Sequence, residues 1–185
     1  MVARFQVDKL HAGHHHVIRQ VTENHKKTIL FLGVPHFPGS TQNPLDFDTR
    51  KKMIQQDYPD IIILALPDLG NNARWTHELD KRIREVYRHG EVLLYGGRDS
   101  FIPHYKEANG EFDTKELEPL GTFTGTDIRK LISEEVKSSQ DFRSGVIYQA
   151  HNSYPSVRPT VDIAILNEEG MILLAKKHDE SGYRF

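Results

Sequence analysis

Three short apolar runs constrain this chain more than anything else in it. Thr28 to Val34 reads TILFLGV, Ile61 to Leu66 reads IIILAL, and Glu91 to Tyr95 reads EVLLY ahead of Gly96-Gly97. The first two do not alternate apolar with polar, as a strand with one wet face would, so both are expected to be covered on both faces, and the third reads as another strand. Between them lie segments with helical spacing, from about Asp46 to Asp57 and from about Ala73 to Arg88. Strand, helix, strand, helix, strand with buried strands predicts an α/β fold, a parallel sheet with crossover helices. Ligands of such sheets bind beyond the carboxyl ends of the strands. The residues that follow each strand are therefore the ones to read for chemistry.

The first sixteen residues, MVARFQVDKLHAGHHH, add a strand-to-helix passage of their own. Val2, Phe5 and Val7 alternate with Arg4 and Gln6 in the manner of a strand, and a helical pattern begins near His14 with Val17, Ile18 and Val21. The first helical turn then carries His11-Ala12-Gly13-His14, with Arg4 and Lys9 upstream. A helix N-terminus presents unpaired N–H groups and a partial positive charge to anions. Gly13 would let a ligand approach the backbone without a Cβ in the way. Two imidazoles and two cations beside that terminus would make a phosphate site. The same histidines read equally as a solvated helix start or a chance metal cluster.

Composition narrows the classes. At 185 residues and 37% hydrophobic the chain can bury one full domain and the start of another, and its net charge of −2 speaks against a general nucleic-acid or membrane surface. Any affinity for phosphate must be local. The chain has no cysteine, which removes disulfides and thiolate metal sites. A strand starting at Val2 leaves no room for a signal peptide, and no apolar run approaches membrane-spanning length, so a cytoplasmic enzyme is expected.

Each strand is followed by residues worth singling out. In NPLDFDTRKKMI, Phe47, Arg50 and Ile54 share one helical stripe, and an arginine on a buried face calls for an anion unless its head reaches water. In PDLGNNARWTHELDKRI, Trp75, Leu79, Ile83, Val86 and Tyr87 form the stripe, so Trp75 reads either as core or, from its place in the first turn, as part of the crevice mouth. Asn72 lies three residues before it, and Asp68 stands at the strand end, where it could as well cap a turn. Gly96 and Gly97 would admit a nucleotide close to the backbone, or simply turn the chain. In TFTGTDIRKLISEEVK an amphipathic helix is expected with Thr126 as N-cap and Arg129 in the first turn. A cation there opposes the helix dipole, and an anion shared between Arg129 and the terminus would compensate.

Taken together these blocks resemble a known family. HAGH looks like the HxGH signature of the adenylyl- and cytidylyltransferase superfamily, and ARFQ is similar to the GRFQ opening of nicotinamide mononucleotide (NMN) adenylyltransferases. Four residues, Val7 to Leu10, separate Gln6 from His11, where the family usually has about two. Asn43, Pro44 and Arg50 match the family's NPF…R block, Asn72 and Trp75 look like its N-x-x-W element, and YGGRDSF resembles its G-x-x-x-D-x-S region. GTDIR is similar to the second superfamily signature, I-S-[ST]-x-x-R, with Thr126 and Arg129 matching and Thr124 and Phe123 replacing Ser and Ile.

The resemblance implies a doubly wound, Rossmann-like nucleotidyltransferase domain over about residues 1–150, transferring adenylyl from ATP to NMN to give NAD and pyrophosphate, with Mg²⁺. It implies His11, His14 and Arg129 as catalytic residues that hold phosphates. Arg4, Phe5, Gln6, Gly13, Arg50, Gly97, Thr124 and Thr126 join Arg129 on the ATP side, and Asn72, Trp75 and Asp68 are on the NMN side. No resident metal ligand, nucleic acid or membrane is implied, and the oligomeric state is open, a homo-oligomer included. The same fold with another acceptor, such as phosphopantetheine or a sugar phosphate, and a dinucleotide-sensing module without turnover are the alternatives.

Residues 151–160 are Pro-rich and read as a linker, and Val161 to Lys177 gives two apolar runs around Asn167-Glu168-Glu169-Gly170, a hairpin pattern. That stretch resembles the first two strands of a Nudix hydrolase domain, without its Glu-rich box. Residues 161–185 are expected to be the truncated start of such a domain, the remainder lying beyond Phe185.

Overall fold

The computed structural model describes residues 1–37, 39–97, 100–121, 125–134, 139–152, 167–170, 175–176 and 183–184. By contacts the chain falls into two compact units, Met1–Val136 and Lys137–Phe185.

In the first unit, β1 (Val2–Ala3), β2 (Ile29–Val34) and β3 (Ile62–Pro67) form a parallel sheet in the order β1-β2-β3. A parallel pair, β4 (Leu93–Gly96) and β5 (Asp113–Glu116), lies with β4 beside β1. The helices are α1 (Ala12–Thr22), α2 (Phe47–Asp57), α3 (Asn72–Val86), α4 (Ile102–Glu107) and α5 (Gly125–Glu134). The chain thus runs outward from β1 through β2 to β3 and returns to β1's other side at β4, which makes the carboxyl end of β1 the point where the strand order reverses. Crevices open at such points.

The apolar runs alternate between two cores, which is why they read as uninterrupted. Leu30, Leu32 and Ile63 pack with Ile18, Val21 and Ile54 of α1 and α2, while Phe31 and Leu66 pack with Leu79, Ile83 and Tyr105 of α3 and α4. The starts of α2 and α3 are fixed locally. Asp46 accepts a hydrogen bond from Thr49 N at 2.7 Å, and Asn71 Oδ1 accepts one from Arg74 N at 3.0 Å.

Four features depart from the sequence-based expectation. The first strand covers only Val2–Ala3 rather than running to Val7, because Phe5 sits at φ +47°, a left-handed conformation that ends extended pairing. The helix after the HAGH stretch already begins at Ala12, with His11 as its cap, so Gly13 lies within it. The α5 helix starts at Gly125, which places Thr126 inside the helix and not at its cap. Finally, α4 and β5 were not anticipated. Six residues are too few to show a helical period, and β5 reads DTKE, a polar strand with no apolar signal.

The second unit holds α6 (Gln140–Asn152), a turn at 167–170 in which Gly170 N donates to Asn167 O at 3.0 Å, and the antiparallel pair β6 (Ala175–Lys176) and β7 (Tyr183–Arg184). Most of the hairpin expected over 161–177 lies outside the described residues, as does Thr124.

Candidate active site

A cavity of about 610 Å³ opens where the strand order reverses, between the carboxyl ends of β1, β3 and β4. Trp75, Asn72 and Asp68 line it together with Arg4 and Phe5, and Gly97, Phe101 and His104 complete the lining, Phe101 lying against Trp75. A volume of this order suits a ligand of nucleotide size. Trp75 resolves both of its readings at once: it is half-buried, packed against the α3 and α4 core, and also faces the cavity. Asn72 is exposed at the first position of α3. Gly97, expected on the ATP side, shares this cavity with Trp75.

Arg4 reaches Asp68, its Nη2 lying 2.9 Å from Oδ2 and 3.1 Å from Oδ1, and its Nη1 donates to Asn43 Oδ1 at 3.3 Å. Both side chains keep contact with solvent, at 50% and 30% exposure, so the pair can open at small cost. Asp68 therefore faces a cation as well as the cavity.

Next to the cavity the Arg4–Gln6 turn is held by two further arginines. Arg50 is fully buried at 0% exposure, and its guanidinium donates from Nη1 to Arg4 O at 2.8 Å and from Nε to Asp46 O at 3.0 Å. Burial first, then the neighbouring Arg4 cation, push its pKa below the ordinary arginine value. Its direct hydrogen-bond partners are two carbonyls, and the carboxylates of Asp46 and Asp68 act on it only electrostatically. Arg129 reaches the same turn from α5: Nη1 donates to Gln6 O at 3.1 Å, Nε to Thr41 O at 3.1 Å and Nη2 to Thr126 Oγ1 at 3.2 Å. These acceptors are neutral, so they satisfy the N–H groups without cancelling the charge. Gly125 leaves room for the guanidinium, since a Cβ there would stand 3.1 Å from Arg129 Nη1. Gln6 is buried and pairs its side-chain amide with the main chain of Leu45, at 3.0 Å and 2.9 Å, which makes it a clamp between loops.

Phe5 joins the cavity to the histidines. Its ring meets His14 edge-on with centroids 4.6 Å apart, and His14 in turn stacks on His11 at 3.7 Å. His11 Nδ1 accepts from Gly13 N at 3.2 Å, which fixes that ring at the helix start. Burial, followed by the repulsion of His11 and His15, lowers the His14 pKa to about 3, and burial and His15 lower that of His11. His14 is therefore a neutral imidazole near pH 7. Its Nδ1 is buried without a hydrogen-bond partner among the described residues, an unmet polar group beside a crevice. The long loop before His11 is absorbed by turning Val7 and Leu10 inward and leaving Asp8 and Lys9 exposed.

Of the residues singled out in the sequence, Arg4, Phe5, Asp68, Asn72, Trp75 and Gly97 line the cavity, and His11, His14 and Arg129 adjoin it through Phe5 and Gln6. Phe101 and His104, which the sequence analysis did not single out, line it too; their signal was an aromatic and an imidazole shortly after a strand end. Among the described residues no group of histidines and carboxylates could hold a metal ion. No described helix is long and apolar enough to cross a membrane.

No protein-family profile matches the chain. Over 145 residues it is 26% identical to a nicotinamide-nucleotide adenylyltransferase of Methanospirillum hungatei, covering 76% of this chain and 79% of that protein. Over 137 residues it is 25% identical to the protein of the same name from Methanothrix thermoacetophila, covering 72% and 76%. Among solved structures, a bifunctional NMN adenylyltransferase/ADP-ribose pyrophosphatase from Francisella tularensis, complexed with AMP and a manganese ion, gives a TM-score of 0.64 at 22% identity. Another structure of such a protein from that organism gives 0.63 at 23%. Each match covers 81% of this chain but 48% of the other, so the chain spans about half the length of those bifunctional proteins. In sequence the chain is a relative of proteins named nicotinamide-nucleotide adenylyltransferase, and its α/β, Rossmann-like fold is the one it shares with these nucleotidyltransferases.

Proposed function

We propose that the chain transfers the adenylyl group of ATP to the 5′-phosphate of NMN, giving NAD and pyrophosphate. One observation carries this reading: a single crevice is lined by an indole, a side-chain amide and an arginine, beside a turn held by Arg129 and a stacked pair of neutral imidazoles. An indole face attracts a pyridinium cation, and the Asn72 amide can both donate to and accept from a carboxamide. Arg4, Arg129 and the two imidazoles are suited to phosphate oxygens.

The acceptor's phosphate monoester is ionised near pH 7, its second pKa being about 6, so the attack needs no general base. A phosphate oxygen of NMN forms the new bond to the α-phosphorus, and the bond from that phosphorus to the bridging oxygen breaks with its electron pair leaving on pyrophosphate. The chain's part is to align the two phosphates and to stabilise charge on the departing group. Neutral His14 serves as a hydrogen-bond donor, and Arg129 supplies the positive charge. ATP enters as its Mg²⁺ complex, the cation arriving with the triphosphate. We further read residues 161–185 as the beginning of a Nudix-like domain, on the strength of the apolar runs around the Asn167–Gly170 turn.

The test is to incubate the chain with ATP, Mg²⁺ and, separately, NMN, phosphopantetheine and a sugar phosphate. Dinucleotide and pyrophosphate should form with NMN. Product with another acceptor and none with NMN would overturn the assignment.

A further inference from the structure

The lining of the cavity next to Trp75 is aromatic and rigidly held. Phe101 is half-buried, lines the cavity, and places its ring centroid 5.4 Å from that of Trp75 with the planes tilted by 52°. Its other side meets Tyr105 edge-on, 5.9 Å away and at 85°. Tyr105 is itself immobilised. Its hydroxyl donates to the Asp80 carboxylate of α3 and accepts from Phe112 N at 3.0 Å, and its ring fits only because position 110 is glycine, where a Cβ would come within 2.2 Å of it. The chain from Trp75 to Phe101, Tyr105 and Asp80 therefore begins and ends on α3, and it fixes the angle between two aromatic surfaces.

At 5.4 Å with a 52° tilt the two rings leave no slot for a third ring between them. They form a corner. A flat ligand ring lying on the indole would present its edge to the phenyl face. Aromatic faces are electronegative and edges electropositive, and a pyridinium has an edge made more positive by its charge. We propose that Phe101 is a positioning and specificity residue for the acceptor, taking the edge of a cationic heteroaromatic ring whose face lies on Trp75. This rests on the reading of NMN as acceptor and deepens it: the corner selects a planar cationic base and fixes its rotation, and through the ribose it fixes the line of the attacking phosphate.

The test is steady-state kinetics on the full chain with Phe101→Leu and Phe101→Tyr, backed by Phe101→Met should the leucine variant fold poorly. Losing an aromatic contact of about 0.5–1.5 kcal/mol corresponds to roughly a 2- to 12-fold rise in KM for NMN. KM for ATP should stay unchanged, and the tyrosine variant should retain the original value. Ribose 5-phosphate, which lacks the ring, should inhibit the original and the leucine chains equally. An unchanged KM for NMN, or KM values for ATP and NMN that rise together, would overturn the role of Phe101 while leaving the reaction intact. Failure of the unaltered chain to use NMN would remove both readings.

Discussion

His11, the cap of α1, and His14, in its first turn, lie stacked with centroids 3.7 Å apart and planes inclined by 23°. Two imidazoles at that distance cannot both be charged without mutual repulsion, and His14 is also buried against Phe5. Its pKa in the folded chain, about 3, lies below the model-peptide value of 6.5. A group whose folded pKa is depressed favours the fold when deprotonated. Its contribution is whole above about pH 6.5 and is lost as pH falls toward 3, and His11 acts in the same direction. Melting temperature should therefore fall on acidification through that window, and His14→Asn should flatten the fall. An identical acid profile in the variant would contradict the burial of neutral His14. Bound ATP, by stabilising the imidazolium, should also flatten the profile.

Turnover should be far more sensitive to His14 than stability is at neutral pH. Removing one donor to a phosphate that gains charge in the transition state costs about 10²–10³-fold in kcat. His14→Ala should show that loss with a melting temperature near the original. Near-normal kcat would take His14 out of the reaction.

Arg129 directs three N–H groups to Thr41 O, Gln6 O and Thr126 Oγ1, a fan that only a planar guanidinium can supply. Arg129→Lys keeps the charge and loses the fan. KM for ATP should rise by about 10-fold, equivalent to about 1.4 kcal/mol, while that for NMN stays nearly constant. Equal rises would mean that Arg129 only ties the Gln6 and Thr41 loops together.

Arg50 is the opposite case, a buried cation whose bonds to Arg4 O and Asp46 O hold the turn beneath the cavity. Arg50→Ala removes a large buried side chain and its hydrogen bond to Arg4 O, while Asp46 O keeps the backbone N–H of residue 50, and the change should cost about 2–5 kcal/mol of unfolding free energy. Denaturant unfolding would measure it. Full stability with a loss confined to ATP would instead place Arg50 directly on the triphosphate.

The elements built from β2 and β3 were legible because Leu30 and Leu32 face one helical layer and Phe31 the other, so no polar residue interrupts either run. Asp113–Glu116 is polar throughout and takes its strand state from pairing with β4, which no local pattern encodes. The left-handed turn at Phe5 is likewise set by tertiary contacts, Arg50 and Arg129 grasping the carbonyls on either side of it. Of the site, the residues that follow strands could be read directly. The pairing of Arg50 with two carbonyls could not, since sequence names the donor and not its acceptors. Trp75 gave two readings because its indole has two faces, one on the core and one on the cavity.

That second face tests the acceptor assignment most directly. Trp75 is the chain's one tryptophan, so its emission reports the crevice without a label. Titrating the unaltered chain with NMN should quench that emission saturably. ATP and ribose 5-phosphate, which bring no pyridinium, should leave it nearly unchanged. Emission that does not respond to NMN, or that responds equally to all three, would contradict a pyridinium stacked on Trp75, and with it the central claim that the acceptor is NMN.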